Sequence, residues 1–144
     1  MHRVLIPIDG SETSLRAVRR FAMLASNLQQ TEALLLNVQQ PVAMNERVVN
    51  GRPSELQSLE APLREAGIKV LAPVQAVLGK AGIPHAGHVG FGDPAATIAE
   101  FATKHHCEQI IMGTHGLGAI ASLVMGSVAT KVLHLASVPV MLIK

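Results

Sequence analysis

Short runs of consecutive apolar residues alternate along this chain with longer stretches in which apolar residues recur every three or four positions. The first run, Val4-Leu5-Ile6-Pro7-Ile8, is β-branched and nearly unbroken, as expected of a strand buried on both faces. Asp9-Gly10-Ser11 ends it. Leu15, Val18, Ala22 and Ala25 then follow at helical spacing beside Phe21 and Leu28, predicting an amphipathic helix of about four or five turns. Ser11 can cap that helix, and Glu12 suits the positive end of its dipole. Ala33-Leu34-Leu35-Leu36-Asn37-Val38 reads as a second buried strand. Strand, helix and strand joined by short links imply a parallel pair with a right-handed crossover.

The link from Gln39 to Pro53 is the most polar long one, and Pro41, Asn50-Gly51 and Pro53 are breaker signals. It reads as a surface loop, with a mobile lid as the alternative. Ser54 can cap a further helix carrying Leu56, Leu59 and Leu63. Pro62, Gly67 and Pro73 interrupt the pattern, which predicts two helical pieces, 54–66 and 69–81, collinear or not. Pro84 to Phe91 is a weaker third strand, with His85 and His88 expected on its exposed side rather than on a metal. Asp93-Pro94 is a helix start, Asp as cap and Pro in the first helical position. Ile98, Phe101, Ala102 and His105 follow at helical spacing, and His105 and His106 lie at the end where positive character is favoured. Gln109 to Met112 is the fourth strand, 126–136 the last helix, and Val138 to Ile143 the fifth strand. Five strands separated by helices predict an open parallel α/β sheet with helices on both faces, in one domain spanning 1–144.

Composition narrows the class. Hydrophobic residues make up 49% and charged residues 15% of the 144, which favours a folded core over disorder. The net charge of +2, the lack of any basic run longer than two and the absence of Trp and Tyr speak against nucleic-acid binding, although Arg16, Arg19 and Arg20 cluster on one predicted helix. Cys107 has no partner for a disulfide and no metal-type spacing, so it reads as a small apolar residue before a strand. With no visible signal peptide, a reduced cytoplasmic setting is expected. Residues 111–130 carry no charge, but four glycines, His115 and several hydroxyls argue against a membrane span.

The candidate chemistry lies between the fourth strand and the last helix. Gly113 to Ser127 has the spacing G-x-x-G-x9-G-S. Glycines let a backbone approach an anion, and the first amides of a helix lack partners within the helix. In open α/β sheets ligands sit beyond the carboxyl ends of strands, so Pro7 to Gly10, Val38-Gln39 and Met112 to Gly116 are expected to converge on one site. No Lys or Arg occurs between Lys104 and Lys131, so this is not a Walker A loop. No Asp or Glu follows Glu108 either, and His115 is the only candidate base there. Hydrolysis by this site is expected to be very slow or absent.

Over nearly its whole length the chain resembles the universal stress protein family, UspA-like, in its ATP-binding branch. The residues that carry this are Val4 to Ser11, Gly92-Asp93-Pro94, Ile111 to Gly116 and Gly126-Ser127-Val128. The resemblance implies a Rossmann-like sheet of order 3-2-1-4-5, of the adenine nucleotide alpha hydrolase-like kind. It also implies ATP with a divalent cation, Mg2+ or Mn2+, and commonly a homodimer. Carried over by position, Asp9 lies near the ribose and holds the cation, if at all, through water. Pro7, Val38 and Met112 border the adenine. Gly113, His115, Gly116, Gly126, Ser127 and Val128 line ribose and phosphates. Each has a plainer alternative: a turn organiser for Asp9, core ends for Val38 and Met112, a surface loop residue for His115, a helix cap for Ser127. Val138, Val140, Met141, Leu142 and Ile143 form an apolar edge strand, the expected dimer contact. The functional expectation is a nucleotide-dependent regulatory module in stress response, with an unidentified protein client. The alternatives are a slow ATPase or phosphotransferase using the same pocket, or an interaction protein with an idle site.

Overall fold

The computed structural model describes residues 1–41, 53–117 and 125–144, with side chains of 53–59 left aside. The elements in order are β1 (His2–Pro7), α1 (Glu12–Ala25), β2 (Thr31–Gln39), α2 (Pro53–Lys80), β3 (His85–Phe91), α3 (Pro94–Lys104), β4 (Gln109–Gly113), α4 (Ser127–Leu135) and β5 (Val140–Ile143). The five strands form one sheet in the order β3-β2-β1-β4-β5, and each neighbouring pair is parallel. Strand order therefore reverses between β1 and β4.

The apolar runs are continuous because side chains alternate between two buried layers. Val4 and Ile6 of β1 and Ile8 just beyond it join Phe21 of α1 and Leu71 and Leu78 of α2 on one face. Leu5, Leu34, Ile110 and Met112 meet Ile98 of α3 and Val132 of α4 on the other. Cys107 is buried in that second layer, and burial pushes its thiol pKa up. Among the described residues no helix is long and apolar enough to cross a membrane.

The expected break in the second helical region does not occur. Pro53–Lys80 is one helix with Pro62 and Pro73 inside it. Both prolines are exposed, so their rings lie on the solvent side of the helix rather than against the sheet. Gly67, which reads as an interruption, is instead a point of close approach to the sheet. A Cβ there would lie 2.7 Å from Val89 and 2.9 Å from Asn37 Oδ1. The predicted cap at Ser54 falls among side chains that are not described, and the reading of 39–53 lies outside the described residues except at its ends.

Several boundaries shift for local reasons. Helix α1 stops at Ala25, so Leu28 lies beyond it and is 55% exposed. Strand β5 starts at Val140, although the Pro139 carbonyl already accepts from Ile110 N at 2.9 Å. Strand β3 is not weakly attached, since every residue from His85 to Phe91 is in register with β2. Its histidines are half-buried rather than exposed. His85 Nδ1 lies 2.8 Å from the Ile83 carbonyl, and His88 packs on Phe101 with ring centroids 5.0 Å apart.

His105 caps α3 at its C-terminus and stacks on Phe101, with centroids 3.9 Å apart. Its pKa is lowered, first by burial and then by His88, Lys104, Arg3 and His106. The dipole's preference for a cation at this end is thus outweighed. A histidine whose pKa is lowered by folding takes up a proton more readily when unfolded. Its contribution to stability is therefore lost as pH falls below the ordinary value of 6.5. The melting temperature is expected to fall between about pH 7 and pH 5, and His105→Gln to shrink that fall. An identical pH profile for the variant would contradict this.

Candidate functional site

The carboxyl ends of β1, β2 and β4, with the starts of α3 and α4, enclose a cleft of about 540 Å³. That is an ordinary size for a small-molecule pocket. It lies where strand order reverses, the favoured ligand position in open α/β sheets. All ten residues singled out for a nucleotide line it. Pro7 and Asp9 come from the end of β1, Val38 from β2, and Met112, Gly113, His115 and Gly116 from β4 and its loop. Gly126, Ser127 and Val128 open α4. Residues 118–124 of the glycine-rich stretch lie outside the described residues.

Helix α4 begins differently from α1 and α3. Ser11 caps α1 by accepting from Ser14 N at 3.2 Å, and Asp93 caps α3 by accepting from Ala96 N at 3.1 Å. The N-cap of α4 is Gly126, with no side-chain cap bond. Ser127 is therefore the first helical residue, and its plainer alternative as a helix cap does not hold. The next backbone bond into the helix comes from Thr130 N, at 3.1 Å to the Gly126 carbonyl. The amides of Ser127, Val128 and Ala129 thus lack intrahelical partners, and all three residues border the cleft. Together with the helix dipole they could receive an anion without a cationic side chain. No Lys or Arg lines the cleft among the described residues.

The loop after β4 is held from three sides. Thr114 N donates to the Ile143 carbonyl at 2.9 Å, and Gly126 N donates to the Thr114 carbonyl at 2.6 Å. Thr114 Oγ1 lies 2.9 Å from His115 Nδ1. Asp9 supplies the third tether: Oδ1 accepts from Ser11 N at 2.9 Å and Oδ2 from Leu117 N at 3.0 Å. Asp9 therefore does organise the turn into α1, and it also holds the glycine-rich loop against β1. Gly116 makes that approach possible, because a Cβ there would overlap Asp9 Oδ2.

The end of β2 offers a second recognition surface. Ile8 N donates to Leu36 O at 2.8 Å on the β1 side, while Gly92 N donates to Gln39 O at 3.1 Å on the β3 side. Alternation along the strand turns the Val38 N–H and C=O toward the β1 side, beyond the end of β1. The Ile8 carbonyl, which would otherwise continue the ladder, is taken by Asn37 Nδ2 at 2.8 Å. Buried Asn37 thus ends the pairing and leaves backbone donor and acceptor groups at the cleft, between apolar Pro7 and Met112. Such an edge, flanked by apolar surface, suits a flat heteroaromatic ring.

Sequence reasoning missed Asn37 and Leu117 here. Asn37 carried one signal, a lone amide within an apolar strand. Leu117 acts through its backbone amide, which leaves no mark in residue type.

A divalent cation fits less directly than the anion. Both Asp9 oxygens already accept amide hydrogens, and no group of three or more His, Cys, Asp or Glu side chains among the described residues could hold a metal. A cation at this site would rest on ligand oxygens and water, with Asp9 at most in its outer shell.

The family described as the universal stress protein family matches residues 1–144. A universal stress protein of Thermus aquaticus, found in the QAH/OAS sulfhydrylase 3' region, is 32% identical over 98% of this chain and 97% of its own length. The structure of the hypothetical protein MJ0577 covers 99% of this chain and 95% of its own, at 24% identity and a TM-score of 0.85. A universal stress protein family member from Arabidopsis thaliana, solved with AMP bound, covers 100% and 92% at 19% identity and a TM-score of 0.72. Other universal stress proteins that share the fold are solved with cAMP and with dAMP.

Proposed function

Since the chain belongs to the universal stress protein family, we propose that it is an adenine-nucleotide-binding module that takes ATP with Mg2+ or Mn2+ and acts as a regulator in stress response. The observation that carries this reading is the start of α4, without a side-chain cap bond and open to a cleft that Val38 also lines. The phosphates rest on the amides of Ser127, Val128 and Ala129, with the loop at Gly113, His115 and Gly116 closing over them. The adenine lies between Pro7 and Met112 and is read by the backbone of Val38. Neighbours that hold AMP, dAMP and cAMP support the adenine preference. The cation supplies charge compensation to the phosphates.

Charge-assisted hydrogen bonds contribute roughly 1.5–3 kcal/mol each. Three of them with a buried base offset the cost of association and give a Kd of about 1 μM, near −8 kcal/mol. The protein has no Trp or Tyr, so bound adenine dominates its absorbance near 260 nm. Purified protein is expected to release an adenine nucleotide on denaturation, identified by mass spectrometry. Protein that carries none, and gives no calorimetric response to ATP, AMP or cAMP with metal present, would refute the assignment.

The same site is a poor catalyst. Among the described residues no second carboxylate and no lysine approaches the phosphate position. Among the described residues His115 is the one titratable group lining the cleft besides Asp9. Turnover is expected far below the roughly 1 s⁻¹ typical of enzymes. A faster rate that falls in His115→Ala would establish the ATPase reading instead.

The working form in this proposal is a cytoplasmic homodimer. Strand β5 is a sheet edge whose four residues are all half-exposed, and exposed Leu133 and Leu135 precede it. Pairing two copies along β5 would cover that edge. Light scattering at micromolar concentration is expected to give twice the 15.2 kDa chain mass, and Met141→Lys to give the single mass. A monomer in both cases would remove the dimer from the account.

A further inference from the structure

The arginines of α1 play no part in the cleft. Arg16, Arg20 and Met23 lie at i, i+4 and i+7, with Arg19 beside them, so the four share one stripe about 100° wide. All four are exposed, Met23 by 65%, while Ala17, Val18 and Phe21 on the opposite side are buried in the core. Arg19 lies 3.6 Å from Glu12. Among the described residues neither Arg16 nor Arg20 has a carboxylate within ion-pair distance. Among the described residues, two guanidinium groups without a carboxylate partner thus precede an exposed thioether along one helix face.

We propose that this outward stripe of α1 is a docking surface for an acidic, amphipathic helical segment of a partner protein. Guanidinium groups one turn apart match carboxylates spaced one turn apart, and Arg holds carboxylates in a bidentate way. Met23 supplies an adaptable apolar contact for a residue on the same partner face. Arg and Met are both enriched at protein interfaces. Duplex nucleic acid fits less well, because two free cations release too few counterions to hold it at ordinary salt. A lipid surface fits less well too, because interfacial helices present a broad apolar face and this stripe holds one such residue. The small stripe implies a weak, reversible contact.

The test uses the full chain and a synthetic alanine-based helical peptide with Glu at i and i+4 and Leu at i+7. Shifts of 15N-labelled amides in residues 16–23 are expected to saturate with a Kd of ~100 μM. Arg16→Gln with Arg20→Gln, which keeps helix propensity, is expected to raise that Kd at least tenfold and leave nucleotide binding unchanged. Higher salt weakens the contact. The proposal fails if α1 amides do not move at ~1 mM peptide. It also fails if a Lys-substituted peptide binds as well, or if duplex DNA or phosphatidylserine vesicles shift these amides more strongly than the peptide does.

Discussion

Gly116→Ala is expected to weaken nucleotide binding at least tenfold while the sheet stays intact. A methyl group at residue 116 would overlap Asp9 Oδ2, the atom that accepts from Leu117 N at 3.0 Å. The carboxylate or the loop must move, and the tether is lost either way. A hydrogen bond to a charged acceptor contributes roughly 1.5–3 kcal/mol, less here because Asp9 is only half-buried. The displaced segment includes His115, and Gly126 N is bonded to the adjacent Thr114 carbonyl, so the start of α4 shifts with it. A loss of about 1.4 kcal/mol in binding equals a tenfold rise in Kd. Asp9→Ala removes the obstructing atom along with the tether. The double variant is therefore expected to be no worse than either single one, a departure from additivity that marks direct contact. Independent, additive losses measured by calorimetry would show that the two residues do not act as one unit.

Gly67→Leu is expected to be strongly destabilising. Its side chain would be driven into Val89 and Asn37, which lie 2.7 and 2.9 Å from the Cβ position. Overpacking costs about 1–3 kcal/mol. Displacing Asn37 also removes its bonds to the Ile8 carbonyl and from Gln39 Nε2, at 2.8 and 2.7 Å, worth about 1–3 kcal/mol when buried. Improved helix propensity returns about 1 kcal/mol at most. The net loss of about 2–4 kcal/mol lowers the melting temperature by roughly 5–15 °C. Val89→Ala in the same chain is expected to recover part of it. Because Asn37 also ends the β1–β2 ladder beside the cleft, nucleotide binding should weaken in parallel. A melting temperature equal to that of the native chain would mean that α2 does not press on the sheet at Gly67.

Much of the fold is legible in the sequence where one layer of physics acts alone. Val4 to Ile8 and Ala33 to Val38 are buried on both faces, so their apolar runs are unbroken and the strands can be read directly. Asp93-Pro94 starts α3 as its residue types predict, because cap chemistry is local. The two-piece reading of α2 fails for the opposite reason. Pro62 and Gly67 look like local breakers, yet an exposed proline is tolerated and the glycine answers to Val89 across the helix–sheet contact. For Ser127 only the plainer alternative of a cap fails, since Gly126 holds that position.

In the site, strand ends, the glycine spacing and the family resemblance together named ten of the residues that line the cleft. They were not enough to show what holds them. The Asp9–Leu117 tether, the Thr114 bridge and the free edge at Val38 run through main-chain atoms of residues distant in sequence. Only the folded arrangement brings those atoms together. Sheet order followed from family resemblance rather than from periodicity, because parallel strands of similar composition do not encode which neighbour each will take.

The central claim is that main-chain amides at the start of α4 receive the phosphates. Titrating 15N-labelled protein with ATP and Mg2+ tests it at the atoms concerned. The account predicts that the amide resonances of Ser127, Val128 and Ala129 move downfield and saturate together, with that of Val38 responding to the base. If ATP binds while these three amides stay unmoved at saturation, the phosphates lie elsewhere and the account is wrong.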